Sequence, residues 1–205
     1  MSAFGLLFVC TGNVCRSPFA EILTRHLLLV RMGDRADAHF DVSSAGLHAV
    51  VDAPLHPHTR GELACRDVDN SVANRFRARQ LDRSMISVPD LVLGVSPQHS
   101  STDVQCDPTA LRKAFSLREF ARLVGSVDPT TLPVQPAERA RSLVEHARHR
   151  RGMVPPVGPD ADRIPDPIGW PRQAHRNTAM LIHQAVIIVV TAIAPPSSVA
   201  SARAT

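Results

Sequence analysis

Residues 4–18 read Phe4-Gly5-Leu6-Leu7-Phe8-Val9-Cys10-Thr11-Gly12-Asn13-Val14-Cys15-Arg16-Ser17-Pro18, and the order of residue types here decides the fold class. Phe4–Val9 is continuously apolar, the pattern of a strand buried on both faces of a parallel sheet. From Phe19 onward the period changes. Phe19, Ile22, Leu23, His26, Leu27 and Val30 share one helical face. Ser17 followed by Pro18 reads as a helix start, with Ser as the N-cap, Pro at the first helical position and Glu21 in the first turn. The order is strand, glycine-containing loop, helix.

The same alternation continues outward. A second strand is expected over His39–Ser44, ending in a small turn, Ser44-Ala45-Gly46. A third covers Asp90–Ser96 and a fourth Ala114–Leu117. Thr59–Arg66 and Ala137–Arg151 read as helices, the latter strongly charged. Gly152–Pro171 is Pro-rich and irregular, and Arg172–Ala192 reads as a closing helix over the sheet. Strands alternating with helices predict an α/β fold, a three-layer α/β/α sandwich around a four-stranded parallel sheet.

With 205 residues there is room for one domain with a real core and little more. A hydrophobic share of 44% and a charged share of 20% exclude a disordered or fibrous chain. The net charge of +4 suits an anionic ligand but is too small to argue for nucleic acid. Arg139, Arg141, Arg148, Arg150 and Arg151 are interleaved with Glu138 and Glu145, which reads as a solvated helix face. The most apolar run, Met180–Ala194, is short for a membrane span and is interrupted by His183 and Gln184. The N-terminus lacks the basic region of a signal peptide, so a cytoplasmic location is expected. Four cysteines do not make a disulfide scaffold; Cys65 and Cys106 are expected to be buried structural thiols. The ten histidines form no metal motif along the chain, and His56-Pro57-His58 reads as a turn.

The chemistry lies in the loop. Cys10 and Arg16 stand in C-x5-R spacing between a strand end and a helix start. Such a loop turns several backbone N–H groups inward, and the helix dipole adds positive potential, which together make a cradle for a tetrahedral oxyanion. The planar fork of Arg16 can grip two oxygens. Cys10 lies near the helix N-terminus, the guanidinium and the Ser17 hydroxyl, each of which favours thiolate over thiol. Gly12 lets the backbone approach the ligand, and Asn13 can brace the tight loop through side-chain-to-backbone bonds. The bland alternative is a turn around an inert buried cysteine.

Val9–Pro18 resembles the active-site loop of the low-molecular-weight protein tyrosine phosphatases, V-C-x-G-N-x-C-R-S-P, at every fixed position. Further similarity lies in Ser43-Ser44-Ala45-Gly46, in Ala78-Arg79-Gln80-Leu81, in Asp90-Leu91-Val92-Leu93 and in Asp166-Pro167. The resemblance covers most of the chain, leaving an apparent insertion over about 120–160 and a tail. It divides the chain into a phosphatase-like domain, 1–193, and a disordered tail, 194–205. It implies hydrolysis of phosphotyrosine in proteins without cofactor or metal. Cys10 would attack phosphorus, Arg16 hold the oxygens, and Asp166 protonate the leaving oxygen and later activate water. Thr11, Gly12, Asn13, Val14, Cys15 and Ser17 would complete the cradle. Asp166 has a plain alternative as a turn residue, with Asp160 and Asp162 nearby. Cys15 is either a small buried residue or, as the family implies, a redox partner for Cys10.

This chain also departs from the family. Ile168 stands where an aromatic residue is common, and Trp170 either replaces that cleft wall or packs under the loop. The stretch after Gly46, LHAVVDA, has no aromatic residue. Phe76 takes the place of a histidine that supports the loop, which predicts weaker hydrogen bonding around Asn13. Tyr is absent, so regulation through tyrosine phosphorylation is excluded. Three rival readings share the scaffold. A protein arginine phosphatase would favour Thr where Val14 stands. An arsenate reductase would need two neighbouring cysteines, which Cys65 and Cys106 are not. A non-catalytic phosphoprotein-binding module would keep the cradle without the turnover.

Overall fold

The computed structural model describes residues 2–156, 158 and 160–196, apart from the side chains of residues 103–106. The expected tail therefore lies, from residue 197, outside the described residues, as does the side chain of Cys106. The first strand, β1 (Phe4–Cys10), leads through the Thr11–Cys15 loop into α1 (Arg16–Met32). A short helix α2 (Ala36–His39) precedes β2 (Phe40–Gly46). Helices α3 (Pro57–Ala64), α4 (Asn70–Arg75) and α5 (Arg83–Ser87) lead to β3 (Leu91–Gly94). Then come α6 (Pro97–Cys106), β4 (Ala114–Ser116), α7 (Leu117–Val124), α8 (Pro136–Arg150) and α9 (Arg172–Ile193).

The strands form one parallel sheet in the order β2-β1-β3-β4, with Leu6 opposite both Val42 and Leu91. Strand β1 is central, so both its faces must be apolar, which is why its sequence is continuous rather than alternating. Successive side chains still part by face. Phe4, Leu6 and Phe8 join the larger core beneath α1, α7, α8 and α9, while Leu7 and Val9 join a smaller core with Ile86, Val92, Ala110 and Ala114. Helices thus cover both faces, and the three-layer sandwich stands.

Several local expectations are corrected. Helix α1 begins at Arg16, with Cys15 as its N-cap, so Ser17 is not the cap and Glu21 lies beyond the first turn. Strand β2 runs through Ser44-Ala45-Gly46 instead of turning there, because the whole segment pairs with Phe8-Val9-Cys10. His56-Pro57-His58 opens α3: Pro57 takes the first helical position and the His56 ring accepts from the His58 N–H.

The charged helix α8 is not a solvated face. Ala137, Ala140, Leu143, Val144 and Ala147 are buried, and four of the five arginines are paired, Arg148 with Glu145 of the same helix and the other three with groups outside it. Buried Arg139 donates to the carbonyls of Ala192, Pro129 and Pro133. Arg141 pairs with Asp90, and Arg151 pairs with Glu119 and stacks over Phe115. Cys65, expected to be buried, is exposed, since it caps α3 just past the helix end. Helix α9 is long and apolar enough by composition to span a membrane. Its apolar residues have another use here, because one stripe, including Ala179, Ile182, Val186, Val189 and Ile193, is buried in the larger core.

Candidate active site

The loop that ends β1 is drawn around Cys10. The Cys10 thiol is buried; its Sγ lies 2.9 Å from the Ser17 hydroxyl and accepts the Asn13 N–H at 3.3 Å. Ser17 in turn donates to the Ala45 carbonyl, so β2 positions the group that touches the thiol. Asn13 takes a left-handed conformation, φ 52°, which asparagine tolerates better than most residues. It is fully buried, and its amide donates to Ser17 and Ser44, both at 2.9 Å, while its carbonyl oxygen accepts the Arg79 N–H at 2.8 Å. The support expected to weaken with Phe76 is therefore intact, built from serines and a backbone amide rather than from histidine. Glu21 completes it, accepting from Ser44 and pairing with Arg79; burial pushes its carboxyl above the usual range.

Gly46 closes the other side. A Cβ there would sit 2.7 Å from the Thr11 carbonyl oxygen and 3.0 Å from the Asn13 nitrogen, so the loop can lie against β2 only over a glycine. The chain beyond follows the loop, with the N–H groups of Leu47, His48 and Val50 donating to the carbonyls of Cys10, Thr11 and Gly12. This occupies outward-facing loop carbonyls and presents exposed Val50 and Val51 next to the cradle. The Val14 carbonyl accepts from the His56 N–H, which ties the loop to α3.

Arg16 is buried and forms an ion pair and hydrogen bond with Asp166; it also lies 3.5 Å from the Thr11 hydroxyl. Asp166 is 45% exposed and its second oxygen accepts the Ile168 N–H. The structure thus brings Cys10, Arg16 and Asp166 to one place. The other acidic residues of that loop lie elsewhere. Asp162 pairs with Arg122 at 2.8 Å, and Asp160 with Arg163. The described residues of the loop are irregular, as expected, and Ile164, buried in the core, anchors it just before Asp166. Trp170 does not pack under the loop: it is 67% exposed, and Ile168 is half-exposed beside it.

Two groups that sequence reasoning missed adjoin the site. Buried His99 bonds Thr11 at 3.0 Å through one ring nitrogen and Ser96 at 2.6 Å through the other. Burial, then the nearby Arg16 guanidinium, pushes its pKa down to about 4. A histidine three residues into a segment after a strand carries no local signal. Cys15 in turn lies with His56 and His175, which are remote in sequence. Burial pushes the Cys15 thiol up to about 12 and lowers both histidines. The absence of a histidine motif along the chain thus hid a Cys/His cluster that the fold assembles.

The arrangement places the Cys10 thiol in a tight loop beside the Arg16–Asp166 pair, and the chain is similar to known proteins. A family model described as "Low molecular weight phosphotyrosine protein phosphatase" matches residues 5–149, a span that ends before Asp166. A protein-arginine-phosphatase of Geobacillus stearothermophilus is 28% identical over 144 residues, covering 69% of this chain and 89% of the relative. The low molecular weight protein-tyrosine-phosphatase Wzb of Salmonella typhi is 34% identical over 140 residues, covering 68% and 81%. Among solved structures, a YwlE mutant from Bacillus subtilis superposes with a TM-score of 0.63 at 21% identity, over 92% of this chain and 97% of that one. The family match spans well over half of the chain, and the chain belongs to the low molecular weight phosphotyrosine protein phosphatase family, whose members are cysteine-dependent phosphatases.

Proposed function

We propose that this chain hydrolyses phosphotyrosine in protein substrates through a phosphocysteine on Cys10, in the cytoplasm, with residues 1–193 as the catalytic unit and 120–160 as an insertion within it. One observation carries the reading: Asp166, remote in sequence, is paired with Arg16 at the end of the loop that holds the Cys10 sulfur. In the first step the Cys10 thiolate forms the S–P bond as the P–O bond to the tyrosine breaks. Asp166 delivers its proton to the departing oxygen. Arg16 exchanges Asp166 for two phosphoryl oxygens, and the N–H groups of the Thr11–Ser17 loop stabilise the spread charge. In the second step water attacks phosphorus, Asp166 takes its proton, and the S–P bond breaks to release phosphate. Val50 and Val51 on one side, and Ile168 and Trp170 on the other, supply an apolar mouth in place of the usual aromatic walls.

The test is phosphate release from a phosphotyrosine peptide by wild type and Cys10→Ser. Release by wild type alone is expected; equal release by Cys10→Ser would refute the nucleophile. Asp166→Asn should slow poor leaving groups most, by roughly 10²–10⁴-fold. An equal loss for good and poor leaving groups would refute its role as the acid. Relatives named protein-arginine-phosphatases favour a second substrate, phosphoarginine, against which Val14 argues. A phosphoarginine peptide run in parallel decides between them by kcat/KM.

A further inference from the structure

At the helix end of the phosphate loop, Cys15 meets His56 at the start of α3 and His175 of α9. The ligand atoms of Cys15, His56 and His175 all lie within 4.8 Å of one another. His175 is 2% exposed, and its Nδ1 shares a hydrogen bond with the Thr59 hydroxyl at 3.3 Å. That partner orients the ring as supporting residues orient metal-bound histidines. Its Nε2 is buried with no partner among the described residues. A buried ring nitrogen left unpaired carries a desolvation cost of roughly 1–3 kcal/mol, so the position calls for an occupant. A cavity of about 10 Å³, lined by Cys15, Thr59, Pro167 and His175 among others, lies at the spot.

We propose that Cys15, His56 and His175 form a binding site for a divalent transition-metal ion of the zinc class. One thiolate and two imidazoles match zinc or cobalt and are wrong for magnesium or calcium, which take oxygen ligands. Ligands about 2.0–2.3 Å from a tetrahedral zinc stand about 3.5 Å apart, so the three groups must close by roughly an ångström. The His56 and His175 rings now lie face to face, 4.4 Å between centroids and 14° between planes. Capture therefore needs His56 to turn its edge toward Cys15. His56 is the half-exposed member and turns by giving up the hydrogen bond that its Nδ1 accepts from the His58 N–H, while Cys15 and His175 are buried. The fourth position goes to water or to exposed His58, whose ring is 5.1 Å from that of His175. Coordination breaks the Cys15 S–H bond, forms an S–metal bond and releases one proton to solvent; no electrons change hands. The bound ion would tie the phosphate loop to α3 and α9 through one centre.

The test uses full-length Cys10→Ser, which removes the competing thiol of the cradle and so is independent of whether the phosphatase reading holds. Titration with Co²⁺ is expected to give one equivalent of a thiolate-to-cobalt charge-transfer band, displaced by Zn²⁺. Adding Cys15→Ser should abolish the band. Adding His56→Gln, or separately His175→Gln, should weaken binding by more than about 100-fold, the upper end of what losing a mere supporting partner costs. His56 is the safer variant because it is partly exposed; circular dichroism checks that each variant is folded. No band in Cys10→Ser, a band surviving Cys15→Ser through exposed Cys65, or unchanged affinity in both histidine variants would each overturn the site.

Discussion

Asn13 tests the physical account of the loop most directly, because one side chain there has two separable jobs. It makes three hydrogen bonds, buried ones to Ser17 and Ser44 and a partly buried one from the Arg79 N–H, and it holds a left-handed backbone, φ 52°. At about 1 kcal/mol net per bond, truncation should cost about 3 kcal/mol, shared by Asn13→Ala and Asn13→Gly. Ser17 and Ser44 keep other partners, so the Arg79 N–H is the group left unpaired. Alanine is also strained at positive φ, where glycine is not, which adds about 1 kcal/mol to Asn13→Ala alone. The order of stability should be wild type, then Asn13→Gly, then Asn13→Ala, at steps of about 3 and 1 kcal/mol. Urea unfolding at fixed pH, with m-values compared, measures both steps. The Asn13 N–H also touches Cys10 Sγ, so both variants should lose kcat more than they raise KM. An Asn13→Gly protein within about 0.5 kcal/mol of wild type would refute the hydrogen-bond account, since that is the range of a neutral surface change. Asn13→Ala as stable as Asn13→Gly would refute the strain account.

Other outcomes follow from the same geometry. Gly46→Ala places a methyl 2.7 Å from the Thr11 oxygen and should cost about 1–3 kcal/mol, whereas Gly12→Ala meets only Val14 at 3.7 Å and should leave the urea midpoint unchanged. His99 has its pKa lowered from 6.5 to about 4, so the unfolded chain binds the extra proton between those values. Its contribution is complete above about pH 6.5 and is lost as pH falls toward 4, at up to about 1.4 kcal/mol per pH unit. His99→Gln should therefore show a shallower loss of stability across that window; parallel pH profiles would count against it. Arg139→Met keeps the aliphatic stem but strands the carbonyls of Ala192, Pro129 and Pro133, and should lower stability by about 2–4 kcal/mol by urea unfolding. A loss no larger than that of Arg150→Met, at the half-buried end of α8, would refute the burial argument.

The order strand, loop and helix, and the sandwich it implies, were legible in residues 4–18, since a continuous apolar run followed by a helical period needs no partner to be recognised. The C-x5-R spacing is equally local: the loop is short enough that Cys10 and Arg16 must face one cradle wherever the rest of the chain goes. Boundaries were less legible. Ser17 looks like a cap in isolation, yet its hydroxyl is spent on Cys10 and Ala45 because the fold sets β2 beside the loop. The charge pattern of α8 misled for a related reason, since a buried arginine and a solvated one read alike until carbonyls from α9 and the preceding turn arrive to meet the guanidinium. Asp166 over Arg16, His99 against Thr11, and the meeting of Cys15 with His56 and His175 belong wholly to the packing. Each joins segments far apart in the chain, and no local pattern encodes a distance that is set only when the helices close over the sheet.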